Sequence, residues 1–312
     1  MTSGIAFVTG ATGFVGSQLA RRLVREGMEV HVLHRAQSNF QRLADVLPRL
    51  HTHDVSLADG PGMVSLVRAI APDHIFHLAA ATVVAGATGG AAELVGVNFL
   101  GTVNLIEACD GLEYSGLVTT GDSFEYSAST QPLREGDCCR PDTLHGISKL
   151  SATLFAQSIA AARGRPIVTL RLFSTYGPSD NPRRLVPRVI AGALSDTPIT
   201  LSRRDISRDW VYVDDVVELY LEAARRAGAL RGGVFNVGSG TAVTIGEITD
   251  ALLRLTGSAA EARWGVFPAP AHDQTPWIAD MDRTFGTFAW RPTVSLEDGL
   301  RATIDAIARQ SG

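Results

Sequence analysis

A doubly wound α/β sheet of parallel strands is the fold class this sequence predicts, on three observations. Short apolar runs alternate with helical periodicity through the first half of the chain, a glycine-punctuated turn follows the first run, and beyond Ser174 the texture shifts to proline and arginine. Ile5–Val8 is the first run, long enough for a buried strand. Gly10, Gly13 and Gly16 follow at intervals of three. Apolar Phe14, Val15, Leu19, Leu23 and Val24 then recur at helical spacing, with Arg21, Arg22 and Arg25 on the polar face, until Gly27 offers a C-terminal cap. Strand, glycine turn and helix form the arrangement in which unpaired amides at a helix N-terminus hold a pyrophosphate. Glycine removes the side chains that would block phosphate from the backbone and the helix from the strand. The spacing, G-x-x-G-x-x-G, is wider than the common G-x-G-x-x-G fingerprint. The stretch reads as a cofactor cradle.

Glu29–His34 is the second strand. A polar stretch runs on to near Leu50, then a short His-rich segment, Val55, and a helix from about Gly62 to Ile70. His74–Ala80 reads as a strand, Ala91–Cys109 as a long helix, Leu117–Thr120 as a strand, and Gly146–Ala162 as a helix closed by Gly164. Ile167–Phe173 ends the series, and crossovers of this kind are right-handed. Past Ser174, helices are expected at about Val213–Ala227, Ile245–Leu255 and Leu296–Arg309, with a short strand at Val234–Val237. The expected division is a dinucleotide-binding domain over residues 1–173 and a substrate lobe over 174–312, partly interleaved with the first.

Composition narrows the function. With 312 residues, 45% of them hydrophobic, the chain can bury a large core, and a net charge of -4 gives no basic footprint for nucleic acid. No apolar run spans a bilayer, and a first strand at Ile5 leaves no room for a signal peptide, so a cytoplasmic protein is expected. Cys109, Cys138 and Cys139 make neither a disulfide framework nor a metal pattern and read as reduced thiols. His51 and His53 alternate on one face of an extended segment, but no carboxylate or thiol converges on them by spacing, so no metal is expected.

Eight stretches in order resemble the extended short-chain dehydrogenase/reductase superfamily, in its NAD-dependent nucleotide-sugar epimerase/dehydratase branch. Besides the glycine turn they include His77-Leu78-Ala79-Ala80, Asn98-Phe99-Leu100-Gly101-Thr102 and Thr120-Gly121-Asp122-Ser123-Phe124-Glu125-Tyr126. Gly146-Ile147-Ser148-Lys149, Arg171 to Pro178, Arg208 to Val216 and Phe235 to Gly240 continue the series. The resemblance covers nearly the whole chain and implies a Rossmann-type sheet with a smaller C-terminal substrate lobe. It places the dinucleotide on Gly10, Thr12, Gly13, Phe14, Val15 and Gly16, on His34, Arg35 and Ser38, and on Asp54 and Val55. Leu78, Ala79, Ala80, Asn98, Thr120, Lys149 and Phe173 complete the implied cofactor contacts. The second strand ends in His34-Arg35, with Ser38 and Arg42 behind and no carboxylate, which favours NADP(H) over NAD(H).

In this family, hydride passes between nicotinamide and a carbinol carbon of a nucleotide-linked sugar, and a tyrosine four residues before a lysine handles the proton. Here the lysine is Lys149 and the tyrosine position is His145. Imidazole, with an ordinary pKa near ~6.5, exchanges protons at neutral pH without the help that phenol needs, so His145 is the expected acid/base. The family's catalytic hydroxyl falls on Asp122, with Ser123 beside it; Asp122 either orients His145 or caps a turn. Dehydratases of the family carry an acid in the two places after that hydroxyl, here Ser123 and Phe124. Glu125 lies one residue too late, which favours 4-ketoreduction or C4 epimerisation over dehydration. A dehydratase using Asp122 and a cofactor-binding protein without turnover are the alternatives. The implied substrate contacts are Thr82, Phe124, Ser174, Leu185, Val186, Leu201, Arg203 and Arg208, with Arg208 on the diphosphate. The family's asparagine is Ser174 here, and its arginine near Pro270 is absent. The helices Ala91–Cys109 and Gly146–Ala162 imply a homodimer.

Overall fold

A computed structural model describes residues 4–82, 90–268 and 275–311. Two compact units form. One comprises the chain up to Ser127, Cys138–Leu172 and Val217–Phe235; the other comprises Ala128–Asp137, Phe173–Val216 and the chain from Asn236 onward. The chain passes between the units at five points.

The first unit is built on a sheet in the order β10-β6-β5-β4-β1-β2-β3. Its strands are β1 Ile5–Thr9, β2 Glu29–His34, β3 Leu50–Asp54, β4 His74–His77, β5 Gly116–Asp122, β6 Ile167–Leu172 and β10 Val234–Val237. Pairings from β3 across to β6 are parallel. β1 and β4 are almost wholly buried, as strands covered on both faces must be, and their apolar residues supply the core together with Met63, Val67 and Leu105 from flanking helices. The His-rich segment is itself a strand, β3, at the edge of the sheet. Its His51, Thr52 and Asp54 are exposed, and that hides it from apolar patterning. β4 stops at His77, three residues before its expected end, and Leu78–Ala80 form a loop.

The long helix expected at Ala91–Cys109 is continuous but not uniform: a π-helical segment, Val95–Leu100, separates Ala91–Leu94 from Gly101–Ala108. Within it Thr102 Oγ1 donates to the Asn98 carbonyl, drawing a hydroxyl into the helical ladder. The next helix, Leu144–Arg163, starts two residues before its expected N-terminus. Thr143 caps it by accepting from the Gly146 amide at 3.0 Å, and left-handed Gly164 closes it. His145 therefore lies in the first helical turn.

The second unit holds β7 Ser174–Tyr176, β9 Ser207–Tyr212 and β11 Ala242–Thr244 in the order β11-β9-β7, and the pair β12 Ala262–Arg263 with β8 Ile199–Thr200. Leu185–Leu194, Ile245–Thr256 and Leu296–Ser311 supply helices over a core of Val189, Ile190, Ile248, Leu252 and Leu300. Buried Asp209 accepts from the amides of Ser239, Gly240 and Ala279, and Asp215 accepts from Thr293 and Val294. Both carboxylates are structural clamps. Among the described residues no helix is long and apolar enough to cross a membrane, and all three cysteines are unbridged.

Candidate functional site

The turn after β1 packs as closely as its glycines suggest. Gly10 has φ 75°, and a Cβ there would lie 2.5 Å from the backbone of Leu78 and Ala79. A Cβ on Gly16 would lie 2.2 Å from the Gly10 carbonyl oxygen, so only glycine lets the helix Phe14–Arg25 start against the turn. Gly13 is that helix's N-cap and offers no side chain to its first amides, which leaves them for an anion. A cavity of about 400 Å³ opens here, in the range of small-molecule sites. The turn contributes Gly10, Thr12 and Gly13 to its lining, the end of β2 contributes His34, Arg35 and Ser38, and Val55 and the loop Leu78–Ala81 close it. Phe14, Val15, Asp54, Asn98, Thr120, Lys149 and Phe173 do not line this cavity. Gly16 acts by letting the helix approach. The Ser38 hydroxyl accepts from the Arg35 amide at 2.9 Å and shapes the bend that presents Arg35, whose side chain is exposed. The cradle and the cavity fit a dinucleotide.

The loop Leu78–Ala81 is fastened from below. Asn98, in the π-helical segment, accepts from the Ala81 amide at 2.7 Å and donates to the Ala81 carbonyl at 3.0 Å and to Ser148 Oγ at 2.9 Å. His77 bridges Thr9 and Thr102 at 2.7 and 2.9 Å, and burial pushes its pKa down to about 3, so it is a neutral strut. Asn98 thus positions the cavity's wall.

At the end of β5, Asp122 meets His145: His145 Nε2 is 3.2 Å from Asp122 Oδ2. Asp122 also caps a turn: its Oδ1 accepts from the Phe124 amide at 2.9 Å at the start of the short turn Ser123–Glu125. Gly146 makes the meeting physically allowed. A Cβ there would sit 2.1 Å from the Phe124 carbonyl oxygen, so any other residue would push the helix carrying His145 off the loop carrying Asp122. Burial raises the Asp122 carboxyl, but the hydrogen bond and charge of His145, the Phe124 amide and the Lys149 ammonium together hold it below the usual carboxylate range. His145 Nδ1 is buried with no hydrogen-bond partner among the described residues. Lys149 is buried, its Nζ donating to the Thr120 carbonyl; desolvation lowers its pKa against the opposing charges of Glu125 and Asp122. Thr120 Oγ1 donates to the His77 carbonyl at 2.8 Å and lies 2.6 Å from Tyr220 Oη, a partner on a distant helix that no local pattern announces. Ser123 is partly buried in the turn.

Glu125 is fully committed elsewhere. It is completely buried, paired with Arg171 at 2.7 Å, accepts from Thr153 at 3.0 Å, and receives the Asp122 amide at 2.9 Å. Arg171 in turn stacks over Tyr126, 4.6 Å from the ring centroid. A carboxylate so tied has no proton-transfer role.

In the second unit, Arg208 lies on β9 with its guanidinium largely buried, and desolvation brings its pKa down to about 10. Val186 and Leu201, both implied substrate contacts, are 1% exposed and packed in that unit's core, and Leu185 is partly exposed. Arg203 is engaged with Asp205 and Arg204 with Asp250. Arg188, read only as one of a run of arginines, has its Nε buried with no partner among the described residues and lies over Phe267. Ser174 opens β7, Phe124 lies partly buried in the turn after β5, and Thr82 is exposed. Pro270 lies outside the described residues.

A glycine-cradled cavity that fits a dinucleotide on a doubly wound sheet, with Lys149 and His145 on one helix after β5, defines a dinucleotide-binding α/β protein. The sequence profile of the NAD dependent epimerase/dehydratase family matches residues 6–238, and the chain belongs to that family. It is 31% identical over 311 residues to the dTDP-glucose 4,6-dehydratase of Streptomyces griseus, covering 95% of this chain and 92% of that one. It is 28% identical over 326 residues to UDP-glucuronate 4-epimerase 1 of Arabidopsis thaliana, covering 94% and 74%. Among solved structures, the UDP-glucuronic acid 4-epimerase of Bacillus cereus in complex with UDP-glucuronic acid and NAD superposes with a TM-score of 0.87 at 26% identity, over 98% of this chain and 99% of that one. The UDP-glucose 4-epimerase of Thermotoga maritima with UDP-glucose gives 0.89 at 25%, over 99% and 100%.

Proposed function

We propose that the protein is an NADP(H)-linked enzyme acting on a nucleotide-activated sugar, with a deoxysugar the favoured kind, by 4-ketoreduction or C4 epimerisation, and that His145 takes the place of the family's tyrosine. The observation that carries this reading is the state of the His145 ring. Its Nε2 faces the Asp122 carboxylate while Nδ1 is buried with no partner among the described residues. A carboxylate held ionised accepts Nε2–H, which leaves the lone pair on Nδ1, the same division of labour by which a carboxylate sets the imidazole tautomer in hydrolase triads. His145 Nδ1 takes the proton of a sugar hydroxyl, or returns it, and Asp122 stabilises the imidazolium formed between. Lys149 holds the end of β5 through the Thr120 carbonyl and brings a positive charge to the site. A dinucleotide held by the glycine turn, Arg35, Ser38 and Leu78–Ala80 would supply or accept the hydride through its nicotinamide. Because Glu125 is locked to Arg171, elimination of water lacks the family's second acid, which favours a redox change confined to one carbon.

The cofactor preference rests on Arg35. The solved epimerase above holds NAD, but no carboxylate stands at the end of β2 here to take a ribose 2′-hydroxyl, and a guanidinium suits a 2′-phosphate. Arg35→Asp is expected to raise the Kd for NADPH and lower that for NADH; an unchanged ratio overturns the preference. Arg208 is assigned the diphosphate, with Arg188 a second cation of the same unit. The exposed apolar side chains Val95 and Leu100 on one helix, and Leu144, Ile147 and Leu154 on the next, support a homodimer through these helices; light scattering of Leu154→Glu should then report a monomer where the wild type is a dimer. The central test adds an NDP-4-keto-6-deoxyhexose to protein and NADPH and follows the reduced-nicotinamide absorbance, with isomer analysis for epimerisation. His145→Phe should abolish turnover while keeping cofactor affinity; full turnover in that variant removes the assignment. Tight cofactor binding with no turnover of any nucleotide sugar would instead make the chain a binding module.

A further inference from the structure

We propose that Glu29, His31 and His51 form a site for a first-row transition metal, zinc or nickel by ligand type, at the outer edge of the seven-stranded sheet. The site arises from the pairing of two parallel strands. His31 lies opposite His51, and Leu33 opposite His53. Alternate residues of a strand share a face, so Glu29, His31, His51 and His53 project from one side. β3 is the last strand in the order, which leaves this corner uncovered by a further strand. The rings of His31 and His51 are stacked at 4.6 Å, and those of His31 and His53 at 5.1 Å.

The carboxylate that spacing along one segment could not supply comes from the neighbouring strand. Donor atoms of Glu29, His31 and His51 all lie within 4.8 Å of one another. Glu29 Oε1 is 2.9 Å from His31 Nε2 and 3.7 Å from His51 Nε2. Ligand atoms about a tetrahedral ion with bonds of about 2.0–2.1 Å stand about 3.4 Å apart, between these two separations. Glu29 and His51 are the exposed members, so small side-chain rotations admit the ion.

His53 completes the design from behind. Its Nε2 lies 2.9 Å from His31 Nδ1. An ion on His31 Nε2 leaves the ring hydrogen on Nδ1, where it donates to His53 Nε2. Metal-ligating histidines use such an outer hydrogen bond to fix their tautomer and ring plane. Two imidazoles and one carboxylate suit zinc or nickel, whereas calcium and magnesium take oxygen sets. The ligands come from β2 and β3, so the ion clips the edge strand to its neighbour, with solvent completing the coordination shell.

Isothermal titration of the untagged full chain with zinc chloride, and separately with nickel chloride, tests this. Wild type should bind one ion per chain. His53→Ala should weaken binding about 10- to 100-fold, the scale of lost outer-shell partners; His51→Ala and Glu29→Gln should weaken it at least as much, and His31→Gln/His51→Ala should abolish it. Cobalt(II) should give a tetrahedral visible band in wild type that the double variant lacks. Absence of binding by wild type, or binding as tight in the double variant, overturns the proposal. Should the double variant fail to fold, His51→Ala decides alone: its ring is exposed, so retained wild-type affinity there overturns the proposal and weakened affinity supports it.

Discussion

Asp122→Asn isolates the proposed role of the carboxylate because the structure dictates how the amide must sit. Asp122 Oδ1 accepts the Phe124 amide and Oδ2 faces His145 Nε2. An asparagine keeps its oxygen on the Phe124 N–H, since an NH2 there would set donor against donor. Its NH2 then faces Nε2, which must become the acceptor, and the ring hydrogen moves to Nδ1, the atom that needs a lone pair. At 3.2 Å and an effective dielectric of about 20, ionised Asp122 and protonated His145 attract by about 5 kcal/mol; water reaching a carboxylate 28% exposed brings this nearer about 2.5 kcal/mol, close to a hundredfold in rate. The inverted tautomer adds to the loss, and the same change in a serine-protease triad costs about 10⁴ in kcat. We expect kcat to fall about 10³-fold, near 4 kcal/mol, with cofactor affinity unchanged. Single-turnover absorbance with saturating NADPH and keto sugar measures it, and a cofactor titration serves as control. Wild-type turnover in Asp122→Asn would refute the tautomer argument.

The same carboxyl predicts a pH dependence. Its native pKa lies below the ordinary value of about 3.9, so the stability it contributes is fully present above that pH and is lost as pH falls through the lowered native value. The thermal midpoint of wild type should exceed that of Asp122→Asn near neutrality, and the gap should close in acid; a constant gap contradicts the sign. Glu125→Ala leaves Arg171 buried without its partner and should cost about 3–5 kcal/mol in urea unfolding; a change within error would show that the pair is dispensable. Gly16→Ala sets a methyl 2.2 Å from the Gly10 carbonyl and should cost about 1–3 kcal/mol while weakening dinucleotide binding, read by thermal unfolding and fluorescence titration; wild-type affinity would mean that the turn tolerates the methyl.

The parts of the fold legible in the sequence are those where one local rule suffices. Ile5–Val8 and the three glycines specify strand, turn and helix within a dozen residues, because burial and close backbone approach act between near neighbours. β3 escapes the same reading because an edge strand need not be apolar: His51 is exposed, and its partner Glu29 lies one strand away. At the site, the presence of His145, Lys149 and Asp122 is legible from motif order, whereas their arrangement is not. The contact of His145 with Asp122 depends on Gly146 lying against the Phe124 carbonyl, the support of Thr120 on Tyr220, and the loop Leu78–Ala81 on Asn98 in a π-helical turn. Each is a tertiary contact between segments far apart in sequence, with no periodic signature. Val186 and Leu201 show the converse: the resemblance implies substrate contacts for them, and packing buries both in a core.

The way the chain passes between its two units bears on how the protein is made. The first unit needs Val217–Phe235, which carries Tyr220 and the start of the edge strand β10, yet Phe173–Val216 belongs to the other unit and is synthesised first. The nascent chain therefore holds an incomplete dinucleotide-binding sheet, with β6 lacking its neighbour, until residue 237 has left the ribosome. At about 5–20 residues per second, translating the 65 residues from Phe173 to Val237 exposes that edge for about 3–13 seconds. A truncation at residue 173 would make that transient state permanent.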